Sequence, residues 1–347
     1  MKEKKIAVAM SGGVDSSVTA ALLQKQGHEV RGVFMDLGQP KIESQIARVR
    51  KVADFLGIPL QVVELREEFS RQVIDYFEKS YFMGLTPNPC VVCNRLIKCG
   101  AVLRQVLADS VDLMATGHYA RIRADEDGGF QLLKGLDPKK DQSYFLSQLT
   151  LEQLSKLCFP LGEFSKEHVY KMAAEFGFEF SGSEESQDIC FLKDSSVAGF
   201  LAERQVVGQP TGEIVTLDGR TLGAHQGIYA FTIGQRRGLG IPDATPYYVV
   251  GIDADSNRVV VGKEDDLWRS SLQISQVNWL AGSAPQLPAV YEVKIRYRHP
   301  VAHALVENDV GGGVTVTFST PQRAITPGQF AVFYDGDRVI GGGPVVA

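Results

Sequence analysis

The chain has 347 residues, 44% of them hydrophobic and 22% charged, with a formal net charge of −5. Its length predicts two or three units with a well-buried core in the largest, and its globular proportions exclude long disorder. No run reaches the roughly 18 to 20 apolar residues of a membrane span, and the acidic balance excludes wholesale nucleic-acid binding while leaving room for a local basic face.

The start, MKEKKIAVAM, leads directly into a short strand without a signal-peptide h-region, so a cytoplasmic location and no membrane association are expected. KIAVAM reads as a buried strand, followed by a Gly-rich loop and a helix from Val14 to Gln26 that Gly27 is placed to end. HEVRGVFMD reads as a second strand, IESQIARVRKVADFLG as a helix closed by Gly57, and LQVVELR as a third strand. Helical runs flank the segment Thr86 to Gly100, and DLMATGHYARI reads as a further strand with a loop at its C-terminal end. Such alternation predicts a parallel sheet covered by helices. After about Gly182 helical periodicity fades; YEVKIRYRH and GVTVTFS alternate with period 2, while DGR, DADSNR, GGG and YDGDR supply turns. Two small β units are expected there, divided near VGKEDDLWRSSLQ.

The segment AMSGGVDSS, Ala9 to Ser17, places two glycines and several hydroxyls between a strand and a helix, where backbone N–H groups and the helix N-terminus converge on phosphate oxygens. It has neither the Lys nor the spacing of GxxxxGK[ST], and it is not GxGxxG. A plain strand-to-helix turn accounts for one or two of these residues but not the whole string. SGGVDS resembles the PP-loop of ATP pyrophosphatases, which cleave ATP between its α and β phosphates and adenylate a substrate. The resemblance implies that Ala9, Met10, Ser11, Gly12, Gly13, Val14, Asp15 and Ser16 surround ATP, with the polar members holding pyrophosphate and Mg2+.

TPNPCVVCNRLIK, ATGHYAR, DPKKDQSYFLSQL and FTIGQRRGLG, with SQDICF, IRYRHP and TPGQFAVFYDG, resemble one PP-loop subfamily, the tRNA-specific 2-thiouridylases. The resemblance runs from the N-terminus into the last β unit. It implies an α/β fold class: an N-terminal Rossmann-like PP-loop domain with a parallel sheet (residues 1–203), a small mostly-β central domain (204–268) and a C-terminal β-barrel-like domain that contacts tRNA (269–347). Met35 and Gly117 are then expected against ATP, and Asn88, Pro89, Cys90, His118, Lys140, Asp141, Gln142, Arg296, Tyr297 and Gln329 against the tRNA. Read physically, Gly117 permits close backbone approach, and His118 and Arg121 are expected to supply donors at a strand end where doubly wound sheets bind ligands. A lone His is otherwise a satisfied structural residue, and a charge run such as KKD a solvated face. Period-2 alternation is expected to direct Lys294, Arg296 and Arg298 to one strand face; Arg236 and Arg237 form another cationic pair.

TPNPCVVCNRLIKCG holds three of the chain's five cysteines, and a reducing compartment disfavours structural disulfides. The resemblance implies that Cys93 and Cys190 transfer sulfur, Cys190 carrying it as a persulfide and Cys93 attacking either that persulfide or the intermediate, which leaves a transient disulfide, and both are expected to have depressed pKa values. Where the family's usual pattern has Asp, this chain has Cys90, which makes a CxxC with Cys93. Cys90, Cys93 and Cys190 as ligands would leave one iron of a 4Fe-4S cluster open to bind hydrosulfide. Related cluster-using thiolases resemble this arrangement, so the iron–sulfur reading is favoured over the persulfide pair. Zinc would want a second ligand pair that the chain lacks. Cys99 and Cys158 default to buried core.

The function expected is ATP-dependent thiolation of the wobble uridine of tRNA: adenylation of uridine O2, then sulfur attack at C2 with loss of AMP. The partners are the anticodon stem-loop, whose base must be extruded, and a sulfur donor, either sulfide or a persulfide-carrying protein. The rival readings are a PP-loop synthetase that adenylates a small metabolite and needs no basic β face, and a non-catalytic RNA-binding module that retains the folds.

Overall fold

A computed structural model describes residues 3–125, 128–179, 189–192, 196–204, 211–280 and 283–346. Its strands are β1 (Lys5–Ala9), β2 (Glu29–Asp36), β3 (Leu60–Glu64), β4 (Leu113–Thr116), β5 (Ala120–Ala124), β6 (Phe130–Lys134), β7 (Leu157–Cys158), β8 (Gly212–Thr216), β9 (Thr221–His225), β10 (Tyr248–Asp253), β11 (Arg258–Gly262), β12 (Trp268–Ile274), β13 (Asn278–Trp279), β14 (Ala289–Lys294), β15 (Ala302–Asn308), β16 (Val314–Arg323), β17 (Phe330–Asp335) and β18 (Arg338–Pro344).

The first sheet has the order β3-β2-β1-β4-β7 and is parallel throughout. β1 is buried on both faces, Ile6, Ala7 and Val8 all lying in the core, which is why it reads as a continuous apolar run. Helices α1 (Val14–Lys25) and α2 (Ile42–Leu56) flank it. Each stops where predicted, at a glycine in the left-handed region: Gly27 at φ 82° and Gly57 at φ 66°. Successive strands run to one side of β1 as far as β3 and then to the other from β4, so the order reverses between β1 and β4. A crevice outside the carboxyl ends of these two strands is where such sheets hold ligands.

DLMATGHYARI is two strands rather than one. β4 ends at Thr116, the chain turns through Gly117 to Tyr119, and β5 leaves in a new direction to pair antiparallel with β6. This hairpin joins the C-terminal sheet, whose order is β12-β16-β15-β14-β17-β18-β6-β5 with β13 on β18. Lys134 N donates to Asp337 O at 2.8 Å, Arg121 Nη2 meets Asp337 Oδ2 at 2.7 Å, and Lys134 Nζ meets Glu292 at 3.1 Å. One sheet therefore ties the N-terminal half to the barrel. Strand pairing across some 200 residues leaves no trace in local pattern, and the sequence reading missed it.

The central unit is a four-stranded sheet, β10-β11-β8-β9, closed over Ile214, Val249, Val259 and Val261. In the barrel, β14 ends at Lys294. Arg296 and Arg298 sit in the turn that follows, with His299 N donating to Arg296 O, so the expected single strand face of three cations does not form. Among the described residues no helix is long and apolar enough to cross a membrane. Gly182 and Ser186 to Asp188 of the SQDICF string lie outside the described residues.

Candidate active site

β1 delivers the SGGVDS loop and β4 delivers the TGHY turn, and because Ala9 pairs with Thr116 the two emerge side by side. Gly12, at φ 75°, turns the chain back on itself. Ser16 Oγ accepts from Ser11 N at 3.1 Å and donates to Gly13 O at 3.1 Å, so the hydroxyls brace the loop. Met10 and Val14, both expected near ATP, are buried: Met10 packs beneath Gly32 and Val14 joins Val18, Tyr119 and Leu161 in the core. Ala9 and Met35 are partly buried at the strand ends.

Asp15 is the loop's one carboxylate, and both of its oxygens are taken. Lys166 Nζ lies 2.7 and 2.8 Å from them and the Tyr119 hydroxyl donates at 2.7 Å. The Lys166 side chain is only 10% exposed. It stands at the start of the helix Lys166–Glu175, which Ser165 caps, and its backbone N–H is anchored by Asp137 at 3.0 Å. The sequence reading missed Lys166 and Tyr119; the lysine sits in an unremarkable SKEH context, and Tyr119 is marked only by adjoining TGH. Gly117 packs on the first residues of α1: a Cβ there would stand 3.0 Å from Asp15 C and Cβ and 3.1 Å from Ser16 N. Its small size serves the loop itself.

His118 bonds Thr116 Oγ1 through Nδ1 at 2.7 Å, and burial, aided by the nearby Lys98 charge, holds its pKa well below the usual imidazole range. It is therefore a neutral ring at physiological pH. Arg121 is no ligand donor here, because its fork is spent on Lys134 O and Asp337 in the barrel.

The cysteine segment is a helix. Asn88 caps it by accepting from Val91 N at 3.3 Å, Pro89 occupies the first turn, and Cys90 and Cys93 lie one turn apart. From Asn94 to Val102 the helix widens to π form. Gly100 makes room for this; a Cβ there would meet Arg95 O at 2.8 Å. Such π turns recur at functional sites, and Lys98 lies within this one. Burial pushes the Cys93 thiol up to about 12, with Lys98 opposing it and Cys190, Cys90 and Cys99 adding to it. Cys90 is raised by burial and by Cys190. For Cys93 the expected depressed pKa is thus reversed, since desolvation outweighs a single lysine. The Lys98 charge opposes the rise at Cys90, Cys93 and Cys99 and adds to the lowering at His118. Cys190 is exposed in a turn whose next residue, Phe191, is fixed among Phe69, Phe77 and Phe200. No disulfide joins any of the five cysteines. Cys99 is buried and Cys158 partly buried, each pushed to about 12.

The residues expected to touch tRNA cluster at the barrel side of this crevice. Asp141 is buried and its carboxylate accepts from Gly135 N, Ser143 N and Ser143 Oγ at 3.0 to 3.1 Å, which makes it the scaffold of the KDQ turn. Gln142 Oε1 accepts from Tyr119 N at 3.0 Å, joining that turn to TGHY. Lys140 and Asp141 both act on the Tyr297 hydroxyl, whose ring packs 4.3 Å from that of Phe145. Arg296 is half-buried near Tyr144. Gln329 Nε2 donates to Thr86 O at 2.9 Å and Pro87 O at 3.3 Å, so the barrel grips the segment leading to the cysteines.

A family described as tRNA methyl transferase HUP domain matches residues 4–194, one described as tRNA methyl transferase PRC-barrel domain matches 199–263, and one described as aminomethyltransferase beta-barrel domain matches 269–345. The tRNA-specific 2-thiouridylase MnmA of Magnetococcus marinus is 46% identical over 99% of this chain and 99% of its own length. That of Syntrophotalea carbinolica is 48% identical over 99% and 98%. Among solved structures, the U34-tRNA thiolase NcsA from Methanococcus maripaludis with its [4Fe-4S] cluster aligns over 55% of this chain and 62% of its own, at 21% identity and a TM-score of 0.38, too low to carry an argument.

Proposed function

Because this chain belongs to the tRNA-specific 2-thiouridylase family, we propose that the crevice beyond β1 and β4 carries out ATP-dependent 2-thiolation of the wobble uridine of tRNA. The supporting observation is the KDQSYF turn, which ties the crevice to the cysteine helix: Gln142 Oε1 accepts from Tyr119 N at 3.0 Å, and Asn94 Nδ2 donates to Phe145 O at 3.2 Å. It fits adenylation and sulfur attack on the same base. Uridine O2 attacks the α-phosphorus of ATP and pyrophosphate leaves into the N–H groups of Ser11 to Ser16. Lys166, poised on Asp15, and Arg48, whose Nη2 donates to Ser11 O at 3.2 Å, bring positive charge to a loop without the Walker lysine. Sulfur then attacks C2, the C2–O bond breaks and AMP departs. With sulfur at the hydrosulfide level, uridine, ATP and HS⁻ give 2-thiouridine, AMP and pyrophosphate with no change of oxidation state. Neutral His118 is free of charge repulsion from Lys98 and can orient the base or the adenylate. The three units divide at residues 203 and 268, and the reaction belongs in the cytoplasm with its tRNA.

Mg2+ ordinarily needs one or two carboxylates besides phosphate oxygens. Asp15 already holds Lys166 and Tyr119, so a Mg2+ there would share its carboxylate with these partners, and the charge of the leaving group also meets Lys166, Arg48 and the backbone. The cysteines do not fit a cluster as they stand: among the described residues no three of His, Cys, Asp or Glu lie close enough to hold a metal. The favoured iron–sulfur arrangement would require Cys190 to move toward Cys90 and Cys93. What the structure offers sulfur is a thiol pair on one helix and a third thiol acting on both. The test compares wild type, Cys90→Asp and Cys190→Ser in 2-thiouridine formation after anaerobic reconstitution with iron and sulfide, and again with a persulfide donor. Loss of colour and activity in Cys90→Asp assigns Cys90 to a cluster. Full activity of colourless Cys90→Asp with a persulfide donor assigns transfer to Cys93 and Cys190. Undiminished activity of Cys190→Ser with both donors refutes the site.

A further inference from the structure

Arg323, the last residue of β16, leaves the barrel and docks on the central sheet. Its Nε lies 2.7 Å from Glu264 Oε1, its Nη2 lies 3.2 Å from Oε2, and its guanidinium stands 5.5 Å from the centre of the Tyr248 ring on β10. The FTIGQRR turn of the central unit seats on the same corner. A Cβ added at Gly234 would stand 3.0 Å from Ala324 Cβ and 3.8 Å from Arg323 Nη1. Two residues further on, Arg236 is exposed and within electrostatic reach of Glu264. On the other side, Arg296 neighbours both Arg323 and Tyr144. The Tyr144 hydroxyl donates to Phe330 O at 3.0 Å and also engages Asn88, the cap of the cysteine helix.

We propose that Arg236 and Arg323 form a phosphate-binding seam that continues from Arg296 and carries the RNA backbone flanking the target uridine from the cysteine crevice onto the central β unit. The inference rests on the tRNA-thiolating reading and assigns the central unit a direct part in holding the substrate. Charge supports it. Two guanidiniums, those of Arg323 and Arg236, act on one half-exposed carboxylate and a third, that of Arg296, acts on Arg323, in a chain whose net charge is −5; such a concentration works against the protein alone and is relieved by an anion. Guanidinium forks also match phosphate oxygens two at a time. Glu264 holds Arg323 extended across the joint in the unliganded protein and competes with RNA for it.

The test measures the affinity of unmodified tRNA bearing a wobble uridine as a function of KCl concentration. It uses full-length wild type, Arg236→Ala and Glu264→Gln, with 2-thiouridine formation followed in parallel. Each lost phosphate contact lowers the slope of log K against log salt by about 0.7 to 1. Arg236→Ala, a change at an exposed side chain, should show that drop and bind about three- to tenfold more weakly at low salt, with an unaltered circular dichroism spectrum. Glu264→Gln should bind more tightly. Unchanged affinity and slope in Arg236→Ala, or weaker binding by Glu264→Gln, would reduce the seam to a structural joint between units. If wild type neither binds nor thiolates the tRNA, the functional reading fails and the seam falls with it.

Discussion

Lys166→Met keeps an unbranched side chain in the pocket between Tyr119 and Tyr170 and removes only the charge. The ammonium stands 2.7 and 2.8 Å from the two Asp15 oxygens. Removing one partner of a fully buried pair costs about 3–5 kcal/mol. Here the Asp15 side chain is 33% exposed and keeps the Tyr119 hydroxyl, so water recovers part of that and about 2 kcal/mol of local stability is at stake. The catalytic cost is larger, because pyrophosphate charge develops in the transition state beside a loop whose other hydrogen-bonded cation, Arg48, is exposed and screened by water. Loss of one preorganised partner for developing charge lowers rates by about 10²–10³. The assay is tRNA-dependent pyrophosphate release, with kcat and KM determined separately and tRNA affinity measured alongside. We expect Lys166→Met to lose at least about a hundredfold in kcat while tRNA affinity holds, and Lys166→Arg to recover part of the rate. If Lys166→Met stays within a few-fold of wild type, or if Arg restores stability but none of the rate, Lys166 is a structural counter-ion and the reasoning is wrong.

Two further outcomes follow from burial and from the barrel contact. Burial raises the Cys99 thiol from an ordinary 9.0 to about 12, so its contribution to stability is present below about pH 9 and lost as pH rises toward 12. Three pH units correspond to at most about 4 kcal/mol. Denaturant midpoints between pH 8 and 11 should fall less steeply in Cys99→Ala than in wild type, and equal steepness would contradict the assignment. Gln329→Ala removes the amide that holds Thr86 O and Pro87 O and should cost about 1–2 kcal/mol and raise the KM for tRNA while leaving nucleotide affinity intact. An unchanged KM would show that the grip plays no part in presenting the cysteine helix.

Local pattern carried the first half of the fold. KIAVAM, Gly27 and Gly57 are read correctly because a doubly buried strand is uniformly apolar and a helix ending in the left-handed region wants glycine. The TGHY strand was misjudged because a three-residue turn interrupts two strands of similar composition. The fate of the β5–β6 hairpin was invisible, as its partner β18 lies some 200 residues on. YEVKIRYRH alternates beyond the point where its strand ends, so alternation alone overstated the basic face. Within the site, the loop and the cysteines were legible as strings. Lys166, Tyr119 and Lys98 were not, because each acts through a partner brought close by tertiary folding, and Lys98 lies in a π turn that periodicity of 3.6 does not anticipate. The reversed Cys93 pKa likewise depends on burial, which no spacing reveals.

The central claim is that one crevice both adenylates uridine and delivers sulfur to it. Its most direct test follows 2-thiouridine in nucleosides digested from unmodified tRNA, together with AMP and pyrophosphate, for wild type and Asp15→Ala supplied with ATP and a sulfur donor. We expect the three products in equal amounts from wild type, confined to the wobble position, and none from Asp15→Ala. Thiolation that proceeds without ATP, or AMP and pyrophosphate released without any thiolated nucleoside, would contradict it.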